Sequence, residues 1–175
     1  MIFERLLAKG PAKVAAGALL RGLVLQSRVP LLYEHMGAQD TPEGRFEMLS
    51  LHVIVLIDRL AKDAEAAPVR QALFDAVMSD LDGALREMGV GDLAVGKRMR
   101  ILAEAFYGRA LAYQSAFNAL PDRAELLEVI ARNVLTAPAG QNGSFLADYV
   151  ERCRVSLAAQ PTTSLAAGRA QWPAP

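Results

Sequence analysis

Cysteine and histidine are scarce in this sequence, and their scarcity excludes several classes of site. The single cysteine, Cys153, cannot form an internal disulfide and fits a reducing compartment. His35 and His52 are the only histidines, which disfavours clustered Cys/His metal sites and any cysteine-linked haem attachment. No nucleophile–base arrangement or phosphate-binding loop occurs either. The sequence therefore predicts no catalytic residue, no metal site, no cofactor and no small-molecule substrate.

Net charge and long hydrophobic runs are also lacking. Lysine plus arginine and aspartate plus glutamate each number 19, so the chain as a whole has no attraction to nucleic acid and no specific nucleic-acid partner is predicted. The longest apolar stretches, Val14–Leu25 and Met48–Ile57, fall short of the roughly 18 residues that a membrane span needs. The first residues lack a secretory-signal layout, and Glu4 argues against a transit peptide. We therefore expect a cytoplasmic protein, with peripheral contact to the inner membrane as the remaining alternative.

Apolar residues are abundant, at 53%, whereas aromatic residues make up only 6%. This leucine- and alanine-rich composition favours packed helices over sheets. A chain of 175 residues suffices for one domain with a full core. We predict an all-α, single-domain bundle of six to seven helices. Its expected parts are an N-terminal basic helical segment (1–30), a helical domain (31–159) and a disordered tail (160–175).

Two helices of this bundle are strongly indicated. Thr41-Pro42 is a typical helix start, and the helix that follows, to about Lys62, is apolar on nearly all sides, which predicts a central position with His52 as a satisfied buried side chain. From Leu93 to about 119, apolar residues recur at steps of three and four, which predicts a helix roughly 40 Å long.

The ends of other helices follow from capping residues. Pro68 opens a helix that ends near Glu87, and Asp92 is the expected N-cap of the long helix. A turn at 141–143, with Ser144 as N-cap, is expected to start a last helix in which Cys153 is a small core residue.

One ordered set of residues resembles a known family. It comprises LREMGVGDL (85–93), VGKRM (95–99), AFYGR (105–109) and Tyr113, preceded by Asp80-Leu81-Asp82. In this order and spacing the residues are similar to the ubiquinol–cytochrome c chaperone family, over roughly residues 33–158. The resemblance implies a helical, non-enzymatic protein. Its mitochondrial members help to make and assemble cytochrome b, the haem subunit of the bc1 complex, and act with a small partner protein near the ribosome exit. Because no long targeting extension precedes the domain, the resemblance implies a bacterial-type member.

Candidate partner-binding residues lie in and beside the same stretch. Gly89 and Gly91 permit a sharp turn between two helices, whereas Gly108, within the long helix, is a candidate for close approach of another helix or a client. The charged residues form a rim, and tyrosines are common at interfaces. The alternatives are a tight helix connection, ion pairs within the chain, and tyrosines that complete the core. The candidates are Asp82, Arg86, Glu87, Gly89, Gly91, Asp92, Lys97, Arg98, Tyr107, Gly108, Arg109 and Tyr113.

A second candidate surface lies near the N-terminus, where lysine and arginine far outnumber acidic residues. Lys9, Lys13, Arg21 and Arg28 are the candidates. A basic amphipathic helix can rest on anionic lipid or on ribosomal RNA, so peripheral membrane contact and ribosome contact are both expectations. An ordinary surface helix packed on the core is the alternative.

Taken together, these features predict a non-catalytic assembly factor that binds newly made cytochrome b and supports assembly of the bc1 complex. A helical membrane-surface scaffold without a specific client, and a small enzyme acting on a hydrophobic ligand, are the alternatives.

Overall fold

A computed structural model describes residues 10–135 and 140–175. Within these ranges the chain is all-helical, as the sequence predicts, and an isolated antiparallel bridge joins Ala38 to Leu135. Eight α-helices are present there, two of which are short helices of five residues. They are α1 (Pro11–Ser27), α2 (Pro30–Glu34), α3 (Pro42–Ala61), α4 (Ala67–Glu87), α5 (Asp92–Ala119), α6 (Ala124–Asn133), α7 (Gly140–Ala158) and α8 (Thr162–Ala166), with a 3-10 turn at Ala64–Ala66 before α4.

Helix α3 lies at the centre of the bundle. The Thr41 side chain accepts a hydrogen bond from the Gly44 amide at 3.1 Å and so caps the helix start, which confirms the predicted N-cap. From Met48 to Leu56 nearly every side chain is buried, and α1, α4, α5 and α7 all pack against this helix. The prediction of a central helix is confirmed, because a helix without a polar face must be surrounded.

The one ionisable side chain buried in this central helix, His52, is fully hydrogen-bonded. Its Nδ1 donates to the Met48 carbonyl at 2.7 Å, and the Tyr149 hydroxyl donates to its Nε2 at 2.8 Å. Gln26 in turn donates to the Tyr149 oxygen at 2.8 Å. Burial lowers the pKa of His52 to about 4, so the ring is neutral at pH 7. The predicted satisfied buried histidine is confirmed.

Helix α1 shares the core of the other helices. Ala15, Ala16, Leu19 and Leu23 are buried, and the helix packs mainly against α4 and also against α3. The basic segment that the sequence predicts at 1–30 is therefore, from residue 10 onwards, part of the same packed unit.

The prediction of a disordered tail at 160–175 is wrong. Leu165 is fully buried in α8, the Trp172 ring meets the His52 ring edge-on at 5.4 Å, and Gln26 donates to the Pro173 carbonyl at 3.0 Å. At Gly168, which has a φ of +83°, an added Cβ would lie 2.9 Å from the Ala15 carbonyl oxygen. Two large apolar side chains therefore anchor a segment whose Pro/Ala/Gly-rich composition suggested disorder.

The predicted start of the last long helix is also wrong. Helix α7 begins at Gly140, so 141–143 are helical and Ser144 lies within the helix. An apolar stripe that includes Leu146, Val150 and Cys153 packs this helix against α3 and α6, which outweighs the local turn signal. Cys153 is a buried core residue, as predicted, and burial raises the pKa of its thiol to about 11.

Membrane-spanning helices are absent from residues 10–135 and 140–175. No helix there is both long and apolar enough to cross a bilayer.

We expect stability to depend on pH through His52. Its pKa is about 4 when folded, against about 6.5 when exposed, so the unfolded chain binds the proton more readily. The contribution of the neutral, buried His52 ring to the free energy of unfolding is therefore complete above pH 6.5, and it is lost as the pH falls towards 4. Between pH 7.5 and 5.5 the loss should be about 1 kcal/mol. Urea unfolding at both values should show this loss in the wild type and a smaller one in His52→Phe. An equal loss in both proteins would contradict the assignment, and His35→Gln, at an exposed histidine, is the control.

The burial of the tail leads to a second prediction about stability. Leu165→Ala should lower the free energy of unfolding by about 2–5 kcal/mol, since it removes a fully buried side chain. Val155→Ala, at an exposed site on α7, should change it by less than about 0.5 kcal/mol. Urea titration measures both, and equal, negligible effects would show that the tail is not packed.

Candidate functional site

Helices α4 and α5 form an antiparallel hairpin at one side of the bundle. Phe74 in α4 contacts Phe106 and Tyr107 in α5, with ring centroids 5.7 and 5.5 Å apart. Phe74 and Phe106 lie equally far along the chain from the connecting turn. The two helices therefore run side by side over most of their length.

The turn between them, Met88 to Gly91, is exposed or half-buried. Gly89 has a φ of +81°, its amide donates to the Arg86 carbonyl at 2.9 Å, and the Val90 amide donates to the Leu85 carbonyl at 3.1 Å. These bonds are those of a Schellman motif, in which glycine supplies the left-handed residue. Gly91, not Asp92 as predicted, is the N-cap of α5. The turn is therefore a tight connection that also remains accessible.

Asp82, Arg86 and Asp92 form a local ion-pair cluster at this turn. Arg86 bonds Asp82 at 2.7 Å and also bonds Asp92, and these hydrogen bonds raise the pKa of its guanidinium, with Asp82 the larger cause. The Asp92 carboxylate therefore bonds Arg86 and does not cap the start of the helix. Glu87, next to the cluster, is exposed. The predicted candidates at the turn are brought together, with their charges partly compensated.

The outward face of α5 carries large apolar side chains in solvent. Leu93 is fully exposed, Leu111 is 68% exposed, and Tyr107 and Ile101 are each more than half exposed. Met88, at the turn, is similarly exposed. Half of the exposed large apolar side chains in the described parts of the chain therefore lie on this hairpin. We call Met88, Leu93, Ile101, Tyr107 and Leu111 the hairpin apolar face.

Lys97, Arg98 and Arg100 stand among these apolar residues. All three are exposed, and none has an acidic partner within ion-pair distance in residues 10–135 and 140–175. Glu87 and Glu104 are exposed on the same hairpin. The charged groups around the hairpin apolar face are thus of both signs, which is a pattern suited to a polypeptide surface.

Two of the predicted partner-binding residues are engaged within the chain instead. Tyr113 is 1% exposed, because it belongs to the inner stripe of α5 with Phe106 and Phe117. Arg109 is held by Glu47 through its Nε at 2.6 Å and a second nitrogen, and it also donates to the Ala105 carbonyl at 2.9 Å. Neither side chain is available to an external partner in this structure. Both assignments are therefore corrected.

Gly108 faces open space. A Cβ built on it would meet nothing within 4 Å, so no other helix approaches it in the described chain. Its predicted role in close approach of a client thus remains a prediction.

A groove of about 110 Å³ lies between α3 and α5, beside this face. Helix α3 contributes Ile54, Ile57, Asp58 and Ala61 to its lining, and α5 contributes Phe106, Ala110, Gln114 and Phe117. Asp58 is the one ionisable residue in the lining, and Arg154 and Lys62 pair with it at 3.4 and 3.6 Å. The groove is smaller than the roughly 300–1,000 Å³ of typical ligand sites. It suits the edge of an interface better than a substrate pocket.

The profile of the family described as Ubiquinol-cytochrome C chaperone matches residues 34–172. The chain belongs to the ubiquinol–cytochrome c chaperone family. The crystal structure of the Cbp3 homolog from Brucella abortus superposes with a TM-score of 0.83 at 32% sequence identity, covering 99% of this chain and 97% of that one. No curated protein matches this chain.

The family match contains the whole hairpin and also the packed tail up to Trp172. It begins after α1, whose outer side carries the basic candidates. Lys13, Arg21 and Arg28 are exposed there, and Lys9 lies outside the described residues.

Sequence reasoning missed the aliphatic members of the hairpin apolar face, although a signal for them exists. The inner stripe of α5 contains Val95, Phe106, Tyr113 and Phe117. Leu93, Ile101 and Leu111 do not fit the spacing of that stripe, so they must point away from the core. Apolar residues left over from a regular stripe therefore marked the exposed face.

Tyr149 and Tyr113 are both buried, and they allow a matched test of which tyrosine hydroxyl is hydrogen-bonded in the core. The Tyr149 hydroxyl joins His52 and Gln26, whereas the Tyr113 hydroxyl has no partner among the described residues. Tyr149→Phe should lower the free energy of unfolding by about 1–3 kcal/mol, and Tyr113→Phe should leave it unchanged or raise it slightly. Thermal or urea unfolding measures both. A large loss in Tyr113→Phe would show that its hydroxyl is engaged.

Proposed function

We propose that this chain is a non-catalytic assembly factor for the respiratory bc1 complex, and that it binds newly made cytochrome b through the hairpin apolar face. The observation that carries the proposal is the row of exposed Leu93, Ile101, Tyr107 and Leu111 on a helix that the family match includes. The likeness of the whole chain to a Cbp3 homolog supports the same family-level role.

Cytochrome b is the membrane-embedded subunit, so its unassembled helices expose apolar surface to water. An apolar helix face can cover such surface and remove both from water, at about 25 cal/mol for each Å² buried. The surrounding charges are of both signs, and Lys97, Arg98 and Arg100 lack an ion-pair partner in the described parts of the chain, so the rim can adapt to polar loops of the client.

The fold makes this binding surface rigid. Helix α5 is fixed through Phe106, Tyr113 and Phe117, which are buried, and the glycine turn fixes its start against α4. Little conformational entropy is therefore lost by the chaperone when the client binds. Release then needs no nucleotide: haem and partner subunits, once they cover the same client surface, compete with the hairpin.

Replacing part of the apolar face should separate binding from folding. In a strain that depends on its bc1 complex and lacks the wild-type chain, we expect Ile101→Ser/Leu111→Ser to recover at least about tenfold less cytochrome b on affinity purification. The reason is the loss of two exposed aliphatic side chains from the centre of the face. Spectroscopic cytochrome b content and ubiquinol–cytochrome c reductase activity should fall in parallel.

The control is Phe145→Ser/Val155→Ser, which removes two exposed apolar side chains from α7. Both double variants should melt within a few degrees of the wild type. The proposal of this surface is rejected if the α7 variant loses cytochrome b and the α5 variant keeps it. Normal bc1 levels in a strain without the chain would reject the function itself.

A further inference from the structure

The outer side of α1 forms a second exposed surface, separate from the hairpin apolar face. Lys13, Gly17, Arg21, Val24 and Arg28 follow one another at steps of three and four, so the three cations share one side of the helix. At about 1.5 Å per residue they extend over about 22 Å. All three are exposed, and no ion-pair partner reaches them from anywhere in 10–135 or 140–175.

The sign of the charge distinguishes this surface from the hairpin. Between residues 10 and 33 the sequence contains these three cations and no aspartate or glutamate. On the hairpin, by contrast, Glu87 and Glu104 lie near Lys97, Arg98 and Arg100. A uniformly positive surface attracts a uniformly negative one, whereas mixed charges suit a polypeptide.

Exposed apolar residues accompany the cations. Val14 is 59% exposed and Leu25 is 74% exposed, and each lies beside the basic stripe. Cations with neighbouring aliphatic side chains are the pattern of a helix that lies at a bilayer surface, since the cations meet anionic headgroups while the aliphatic groups enter the boundary below them. Phosphate contacts to RNA would use the cations but not the aliphatic groups.

The opposite side of the helix holds it in place. Its buried side chains, which pack against the bundle, include Ala15, Ala16, Leu19 and Leu23. The basic side is therefore already formed in the folded protein without lipid. We propose that the outer side of α1, formed by Lys13, Val14, Arg21, Leu25 and Arg28, docks the folded protein on an anionic lipid bilayer. This docking does not require cytochrome b.

Vesicle flotation of the full chain tests the proposal. The probes are vesicles of phosphatidylcholine alone and of phosphatidylcholine mixed with phosphatidylglycerol. Wild-type protein should float with the mixed vesicles and not with phosphatidylcholine alone, and added salt should release it. Since each cation near an anionic surface contributes about a fivefold factor, Lys13→Gln/Arg21→Gln/Arg28→Gln should reduce partitioning by about 100-fold. Val14→Ser/Leu25→Ser should also reduce it, with the salt dependence retained.

The matched control is Lys97→Gln/Arg98→Gln/Arg100→Gln, which removes the same charge from α5 and should still float. Failure of the wild type to float with mixed vesicles, or loss of flotation in the α5 variant but not in the α1 variant, would overturn the proposal. So would sedimentation with ribosomes that depends on the three α1 cations while flotation does not. Cytochrome b recovery, measured on the same variants, should fall for the α5 set and not for the α1 set, which keeps the two proposals separable.

Discussion

The burial of α3 on all sides is the constraint on which the rest of the structure depends. A helix with no polar face must be covered by neighbours, and α1, α4, α5 and α7 supply that cover. His52 is the one ionisable side chain buried within this helix, and its hydrogen bonds to Met48 and Tyr149 offset the cost of burying a polar ring. Tyr149 and Gln26 extend this hydrogen-bond network to the Pro173 carbonyl. The position of the tail is therefore linked to the hydrogen bonds of the buried His52.

Because the core is complete without them, the apolar residues on the outer side of α5 are free for another use. Folding requires the inner stripe of this helix, which includes Phe106 and Tyr113, but gains nothing from Leu93 or Leu111 in solvent. Elsewhere cations are mostly matched within the chain, as in the pairs of Arg109 with Glu47 and of Arg123 with Asp148. Surfaces where apolar groups are exposed and cations lack partners among the described residues are thus the sites where function is to be sought.

The parts of the fold that the sequence predicts well are those set by local pattern. The Thr41 cap and the extent of α5 follow from capping chemistry and a regular period. The tail and the start of α7 were missed because both are decided by distant partners: Trp172 meets His52, and α7 packs on α3. The site shows the same division. Tyr107 and Tyr113 belong to one helix and looked equivalent as residue types, yet the helical period places one outside and the other inside.

The arrangement of α1, α4 and α5 gives the two proposed surfaces a common frame. Helix α4 packs against α1 more extensively than against any other helix, and it is joined to α5 by the glycine turn. A bilayer contacted by α1 and a client contacted by α5 would therefore be separated by the rigid thickness of α4 rather than by a flexible linker. If both proposed contacts form, such spacing would hold a membrane-protein client beside the bilayer that it must enter. Since both outer surfaces are supported by buried side chains of the same core, neither contact requires the fold to rearrange.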